Sequence, residues 1–202
     1  MIGKDYKPQI DGLRALAVIP VIFFHAGFES FKGGFVGVDI FFVISGYLIT
    51  KIIISDLNKN KFNIKEFYLR RARRILPALY FVTFTSSIAS LFFLSEDQLV
   101  FFSKQIFSVI FFISNFFFWK NTGYFNPSSD LQPLLHTWSL GVEEQFYILF
   151  PIFLIVIWKL KPARPFLILS IISILSLILA QFGGNFKIQN LTLSYPFFKL
   201  PF

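Results

Sequence analysis

The chain has no cysteine among its 202 residues and only two histidines. The lack of cysteine excludes a disulfide framework, a thiol nucleophile and a thiolate metal site. Two histidines are too few for the histidine-rich cage that holds many catalytic metals. We therefore predict no metal site, and any chemistry has to come from oxygen and nitrogen side chains.

Charged residues are also scarce, at 15% of the chain, against roughly a quarter in an ordinary globular protein. Apolar types make up 55%, and the 31 Phe, 7 Tyr and 3 Trp carry more aromatic surface than one water-facing core of this size could bury. A soluble domain would leave much of that surface exposed and prone to aggregation. The composition therefore predicts a membrane protein.

The apolar residues fall into six windows, and a helix needs about 20 apolar residues to cross a bilayer. The windows are residues 13–28, 35–54, 76–94, 99–119, 145–158 and 166–182. The fifth is short unless the helix extends back into the segment before it. This pattern predicts an all-α fold, a polytopic transmembrane helix bundle of about six spans.

The basic residues predict the orientation of the chain. The segment between the second and third windows carries Lys59, Lys61, Lys65, Arg70, Arg71, Arg73 and Arg74. Loops of this kind are typically cytoplasmic, which places the amino terminus in the cytoplasm as well. Strict alternation then puts Lys159, Lys161 and Arg164 outside. Either the charge rule is violated there, or the segment 120–145 dips into the membrane without crossing it.

Ionisable residues within the first two windows cost about 2.5–3.5 kcal/mol each at a bilayer centre and suggest a function. Arg14 and His25 are eleven residues apart, so on a helix they project from nearly the same face, about 16 Å apart. Asp11 sits one turn before Arg14 and can pair with it. Asp39 could pair with Arg14, orient His25, or interact with the amino-terminal end of its own helix. The alternative is an interfacial Arg14 anchor and an interfacial histidine.

Asp39 follows a glycine-rich approach, in which Gly33, Gly34 and Gly37 permit close packing of helix backbones. We therefore expect the second helix to lie against a neighbour at this end.

The basic segment places Arg71 and Arg74 one helical turn apart. Two guanidinium groups on one face suit a phosphate or pyrophosphate, because each offers planar bidentate donors. Anchoring to anionic lipid explains the same run without any ligand. Nucleic-acid binding is disfavoured, because the charge is confined to a short segment beside the membrane.

The stretch LLHTWSLGVEEQFYILFP is unusually polar for a segment that borders an apolar span. It contains His136, Trp138, Ser139, Glu143, Glu144, Gln145 and Tyr147. The simplest interpretation is an interfacial belt of Trp and Tyr with solvated carboxylates. A functional site is the alternative.

Four segments carry a resemblance to a known family. IDGLRALAVIPVIFFHAGF, GGFVGVDIFFVISGYLIT, FYLRRARRILPAL and LLHTWSLGVEEQFYILFP occur in the order and spacing of the signature blocks of the acyltransferase family 3 membrane proteins. The most similar type is the bacterial O-acetyltransferases of O-antigen and cell-surface polysaccharide. The resemblance covers residues 6–182. It implies one membrane-embedded acyltransferase domain over residues 1–202, as an incomplete form of a ten-span domain.

The resemblance also implies an activity: a multi-pass enzyme of the bacterial inner membrane that moves an acyl group, usually acetyl, from acetyl-CoA on the cytoplasmic side to a sugar hydroxyl. Its partners would be the lipid bilayer, acyl-CoA and a saccharide acceptor such as lipopolysaccharide. The catalytic residues would be His25, Arg14, Glu143 and Glu144, and the cofactor-binding residues Arg71 and Arg74. His25 would act as a general base or carry the acyl group. Two alternatives remain open: a translocator of lipid-linked sugar and a truncated, non-catalytic remnant.

Overall fold

A computed structural model describes residues 8–121, 131–159, 165–183, 187–188 and 191–192. Within these ranges the chain forms seven α-helices, a short 3-10 helix and one two-stranded antiparallel ladder. The elements are α1 (Pro8–His25), the 3-10 helix (Glu29–Phe31), α2 (Val36–Asn58), α3 (Ile64–Phe93), α4 (Glu96–Ile110), α5 (Ser114–Lys120), α6 (Thr137–Lys159), α7 (Pro165–Gly183), β1 (Lys187–Ile188) and β2 (Leu191–Thr192). The predicted all-α fold is confirmed.

Three of the described helices, α2, α3 and α6, are long and apolar enough to cross a membrane. Helix α7 contains a shorter apolar stretch, Leu167–Ile178. Large apolar side chains are exposed along these helices, as at Val43 (72%) and Phe93 (84%). Such surfaces are stable in lipid and would aggregate in water. The chain is therefore a multi-pass membrane protein.

The predicted span over residues 99–119 is wrong as a single helix. Helix α4 ends at Ile110 and α5 begins at Ser114, so neither is long enough to cross a bilayer. Between them Phe112 has a φ of 54°, a left-handed conformation that interrupts an α-helix. The window 145–158, by contrast, extends back to Thr137, as its shortness suggested.

The chain divides into two compact units, Met1–Asn63 and Ile64–Phe202. The first contains α1, the 3-10 helix and α2, and the second contains the remaining elements. The interpretation as one acyltransferase domain over residues 1–202 stays a prediction.

In the first unit, α1 and α2 approach so closely that two glycines touch the backbone of the facing helix. A Cβ atom on Gly34 would collide with the carbonyl oxygen of Pro20, and one on Gly37 with that of Ala17. Gly33 faces open space, with nothing within 4 Å of such an atom. The predicted close packing is thus confirmed at Gly34 and Gly37 and wrong at Gly33.

In the second unit, a hydrophobic core joins α3, α4, α5 and the segment that precedes α6. Its buried members are Leu79, Phe102, Val109, Phe118 and Leu134. A capping box lies at the amino-terminal end of α4. The Ser95 side chain accepts a hydrogen bond from the Gln98 backbone N–H, and the Gln98 side chain accepts one from the Ser95 backbone N–H. Helix α5 packs on α6, which brings polar residues of both helices together.

Candidate functional site

In the described part of each unit, one ionisable side chain has a buried hydrogen-bonding atom without a partner. In the first unit this residue is Arg14, which is half-buried. Its Nη2 donates a hydrogen bond to Ser45 Oγ over 3.4 Å, and its guanidinium carbon lies 5.0 Å from the centroid of the Phe41 ring. Its Nε is buried with no hydrogen-bond partner in the part of the chain that the structure describes. Arg14 can therefore still donate to an anion or a carbonyl group.

The expected pairing of Arg14 with Asp11 is wrong, because the guanidinium faces Ser45 and Phe41 of α2 instead. Asp11 and Asp39 are both exposed, in the first turns of α1 and α2. A carboxylate in this position is stabilised by the positive end of the helix dipole. That agrees with the interpretation in which Asp39 interacts with the amino-terminal end of its own helix.

His25 is the last residue of α1 and is exposed. Its ring centroid lies 5.0 Å from that of Phe24, with an edge-to-face angle of 68°. The spacing of Arg14 and His25 on one helix is as predicted, but Arg14 is half-buried against α2 whereas His25 is exposed. The catalytic role of His25 stays a prediction.

In the second unit, α3 and α6 bring together four polar residues, Arg71, Glu143, Glu144 and Tyr147, which we call the Arg71–Tyr147 cluster. The guanidinium carbon of Arg71 lies 5.3 Å from the centroid of the Tyr147 ring and 5.7 Å from that of Phe67. The Tyr147 hydroxyl donates a hydrogen bond to Glu143 Oε1. Tyr147 is only 3% exposed. It contacts the Arg71 cation through its ring and the Glu143 carboxylate through its hydroxyl.

Glu144 is the most deeply buried acid of this cluster, at 8% exposure. Its Oε1 is buried and has no hydrogen-bond partner within the described ranges. The Glu144 carboxyl group interacts electrostatically with both Arg71 and Glu143. A buried carboxylate is costly unless it is paired, so an open oxygen here is unusual. Oε1 can accept a hydrogen bond from a hydroxyl or an N–H group of a ligand.

The structure separates the two arginines that the spacing predicted to act as a pair. Arg71 is half-buried against α6, whereas Arg74 is exposed. Arg70 forms an exposed ion pair with Glu66 over 3.6 Å. Arg74 thus contacts neither α6 nor its acidic residues within the described ranges, while Arg71 lies against the ring of Tyr147 on α6.

Two further amides lie beside the cluster. Asn115 of α5 and Gln145 of α6 bond reciprocally: Asn115 Nδ2 donates to Gln145 Oε1 over 3.2 Å, and Gln145 Nε2 donates to Asn115 Oδ1 over 2.9 Å. Gln145 Nε2 also donates to the Phe112 carbonyl oxygen over 2.8 Å. Asn115 was missed by the sequence analysis. The available signal was the polar pair Ser114–Asn115 within an otherwise apolar aromatic run.

A second polar contact ties α3 to α6. The hydroxyl of Tyr68 donates to the carbonyl oxygen of Ile148 over 2.8 Å. Together with the Arg71–Tyr147 contact, it holds the basic turn of α3 against the acidic turn of α6.

An open apolar groove of about 840 Å³ lies between α6 and α7. Its lining is aromatic and aliphatic, apart from one amide and two hydroxyl groups. The lining residues are Gln145, Phe146, Leu149, Phe150, Phe153, Leu169, Ile172, Ser173, Ser176 and Leu177. In the described ranges no group of three or more His, Asp or Glu side chains is placed to hold a metal ion. The absence of a metal requirement stays a prediction.

The sequence matches the family described as the acyltransferase domain over residues 7–202. The chain belongs to this acyltransferase family. It is 45% identical over 180 residues to the peptidoglycan O-acetyltransferase OatA of Listeria monocytogenes, an alignment that covers 88% of this chain and 29% of the relative. It is 40% identical over 180 residues to the O-acetyltransferase OatA of Staphylococcus aureus, covering 88% and 30%. No solved structure matches the chain.

Membership of the acyltransferase family, predicted from the four blocks, is thus confirmed. The chain spans less than a third of the length of the curated relatives it matches, since the alignments cover 29% and 30% of them. The roles assigned to individual residues of the family's motifs stay predictions.

Proposed function

We propose that the chain takes part in transferring an acetyl group from acetyl-CoA to a hydroxyl group of a cell-envelope saccharide. The observation that carries the proposal is the 45% identity, over 88% of the chain, to a protein named as a peptidoglycan O-acetyltransferase. Peptidoglycan is therefore the acceptor that we propose first, ahead of the lipopolysaccharide that the resemblance suggested.

The reaction needs a cationic group for the donor, an acceptor for the hydroxyl proton and donors for the oxyanion that develops. The hydroxyl oxygen attacks the thioester carbonyl carbon, the carbon–sulfur bond breaks, and the proton passes through a base to the departing coenzyme A thiolate. In this proposal the exposed Arg74 contacts a phosphate of the donor. Arg71 supplies positive charge beside Glu144, and Glu144 Oε1 accepts a hydrogen bond from a substrate.

In the first unit, the proposed reactive group is His25, because imidazole titrates near neutral pH. It acts either as the base or as the carrier of the acetyl group. Arg14 would donate to a developing negative charge through the Nε that is left without a partner. We further propose that the chain lies in the bacterial inner membrane with its amino terminus in the cytoplasm, because the basic residues between α2 and α3 favour that side.

The test is acetyl transfer by membranes that contain the full chain, with radiolabelled acetyl-CoA and peptidoglycan fragments, and with lipopolysaccharide as a second acceptor. We expect alkali-labile acetyl esters on the peptidoglycan. His25→Ala should lower the rate by about 100-fold, the usual contribution of a group that handles a proton. Glu144→Ala, which removes the acceptor oxygen, should lower it by about tenfold, the usual contribution of one hydrogen bond to a charged group. The matched control is Glu66→Gln, an exposed acid of α3, which should retain the parent rate.

The possible results distinguish the acetyl-transfer function, the residue roles, the non-catalytic remnant and the translocator. No transfer to any saccharide by well-expressed parent chain would contradict the function, and equal rates for all variants would contradict the residue roles. Transfer by the purified 202-residue chain would exclude the non-catalytic remnant. Loss of surface glycan, with unchanged acetylation of what remains, would instead support the translocator.

A further inference from the structure

The amide contact between α5 and α6 fixes the rotation of α6, and with it the direction in which its acidic residues point. Successive residues of an α-helix differ by about 100° in direction, so Gln145 projects to one side of Glu144. The buried face of α6 includes Gly141, Glu144 and Tyr147. A contact that holds Gln145 in place therefore keeps Glu144 facing inward.

Three hydrogen bonds hold Gln145. Two join its amide to Asn115 in both directions, over 3.2 and 2.9 Å, and the third reaches the Phe112 carbonyl oxygen over 2.8 Å. Because both partners are amides, each contributes a donor and an acceptor, and the pair is satisfied only in one relative orientation. Asn115 is itself buried, at 8% exposure, so water cannot easily replace it.

The backbone around this contact permits the close approach. Phe112 adopts its left-handed conformation in the break between α4 and α5, and its carbonyl oxygen is within reach of α6. On α6, Gly141 lies so near that a Cβ atom there would be 2.9 Å from Ser114 Oγ and 3.3 Å from Asn115 Oδ1. Ser114 Oγ also donates to the Thr137 carbonyl oxygen over 2.8 Å. The start of α5 thus contacts α6 at Thr137, Gly141 and Gln145.

We propose that Asn115 is a positioning residue: through Gln145 it sets the rotation of α6 that turns Glu144 inward and holds Tyr147 beneath Arg71. The significance of this role for acetyl transfer rests on the proposed function. The orientation itself does not, and can be measured without any activity.

The first experiment exploits the absence of cysteine from the chain. Glu144→Cys introduces a single thiol at a position that is 8% exposed, and a maleimide should label it slowly in detergent. Adding Asn115→Leu removes the amide at similar volume, and we expect labelling about tenfold faster as α6 rotates. The matched control is Asn121→Leu, which removes a local side-chain bond to the Phe117 carbonyl oxygen at the end of α5. That control should label like the parent.

A reciprocal exchange provides the rescue. Asn115→Gln lengthens one amide by a methylene group and Gln145→Asn shortens the other, so the double variant restores the combined length. Each single exchange should raise the labelling rate, and the double exchange should return it towards the parent value. If Asn115→Leu fails to fold, these amide exchanges test the same contact in its place. Unchanged labelling in every single variant, or an equal rise with Asn121→Leu, would overturn the proposal.

The second readout is kinetic. Asn115→Leu in the otherwise unchanged chain should lower kcat by about tenfold, equivalent to about 1.4 kcal/mol. The KM for acetyl-CoA should stay the same, because the exposed Arg74 is not disturbed. A matching rise in KM with unchanged kcat would contradict the positioning role. A parent chain that transfers no acetyl group would contradict the proposed function, and the labelling experiment would still decide the orientation of α6.

Discussion

Within the described residues, two helix pairs pack closely at glycine, and they are held in different ways. Where α1 packs on α2 and the residues just before it, Gly34 and Gly37 lie directly against the backbone carbonyl oxygens of Pro20 and Ala17. Helices α5 and α6 meet through side chains, because Gly141 faces the Ser114 hydroxyl and the Asn115 amide.

The first contact restricts how much volume can lie between the two helices, whereas the second restricts how one helix is rotated against the other. A backbone carbonyl cannot move aside, so the first contact tolerates no added atom, yet it imposes little preference on polar side chains nearby. Arg14 is accordingly held to α2 by one long hydrogen bond of 3.4 Å and an aromatic face. Amide groups are directional, so the second contact fixes a rotation, and the residue next to Glu144 makes three hydrogen bonds of 2.8 to 3.2 Å that do so. We expect the first pair to be more sensitive to added volume and the second to lost polarity.

The largest expected effect on stability is that of Gly37→Ala. The added methyl group would collide with the Ala17 carbonyl oxygen, and we expect a loss of about 3 kcal/mol in the free energy of unfolding. The measurement is unfolding in detergent micelles. The matched control is Gly46→Ala on the same helix, where nothing lies within 4 Å, and which should stabilise the protein by up to about 1 kcal/mol. Equal effects of both substitutions would show that α1 and α2 do not pack through this glycine.

An intermediate effect is expected for Gly141→Ala. Its Cβ would lie 2.9 Å from Ser114 Oγ, a side-chain atom that can shift, so we expect a loss of about 1 kcal/mol. Ser114→Ala removes that oxygen, together with its bond to the Thr137 carbonyl oxygen. The double variant should therefore lose less than the sum of the two single variants, as a double-mutant cycle would measure. Simple additivity would mean that the two positions are not in contact.

The smallest effect is expected for Ser45→Ala. It removes the 3.4 Å hydrogen bond of Arg14, which is long for this interaction, and we expect a change of about 0.5 kcal/mol in the free energy of unfolding. Ser103→Ala, which affects only a local bond to the Val100 carbonyl oxygen, is the matched control. A loss above about 2 kcal/mol for Ser45→Ala alone would mean that the first unit depends on directional polar contacts after all.

The position and length of the apolar windows were enough to predict long helices but not where they break. The windows at 35–54 and 145–158 became α2 and α6, because a bilayer-length apolar run has few other stable structures. The window at 99–119 divided at Phe112, because a hydropathy average cannot register one left-handed residue. The same limit hid Asn115, whose importance depends on a partner thirty residues away.

Charge patterns were predicted less well than packing. The spacing placed Arg71 and Arg74 on one face, but the ring of Tyr147 draws only Arg71 towards α6. Arg14 likewise contacts Ser45 instead of the nearby Asp11. In both cases the partner comes from another helix, and spacing within one helix carries no information about it.

The sequence by itself determined a cysteine-free, helical membrane chain of the acyltransferase family, because composition, apolar run length and motif order are properties of the linear chain. Only the tertiary structure decided which polar groups stay buried with an open hydrogen-bonding atom; Arg14 Nε and Glu144 Oε1 are the two on ionisable side chains within the described ranges. The physical reason is that burial and hydrogen bonding depend on which face of a helix meets its neighbour. That choice is made by contacts between residues far apart in the chain, such as Gly37 with Ala17 and Asn115 with Gln145.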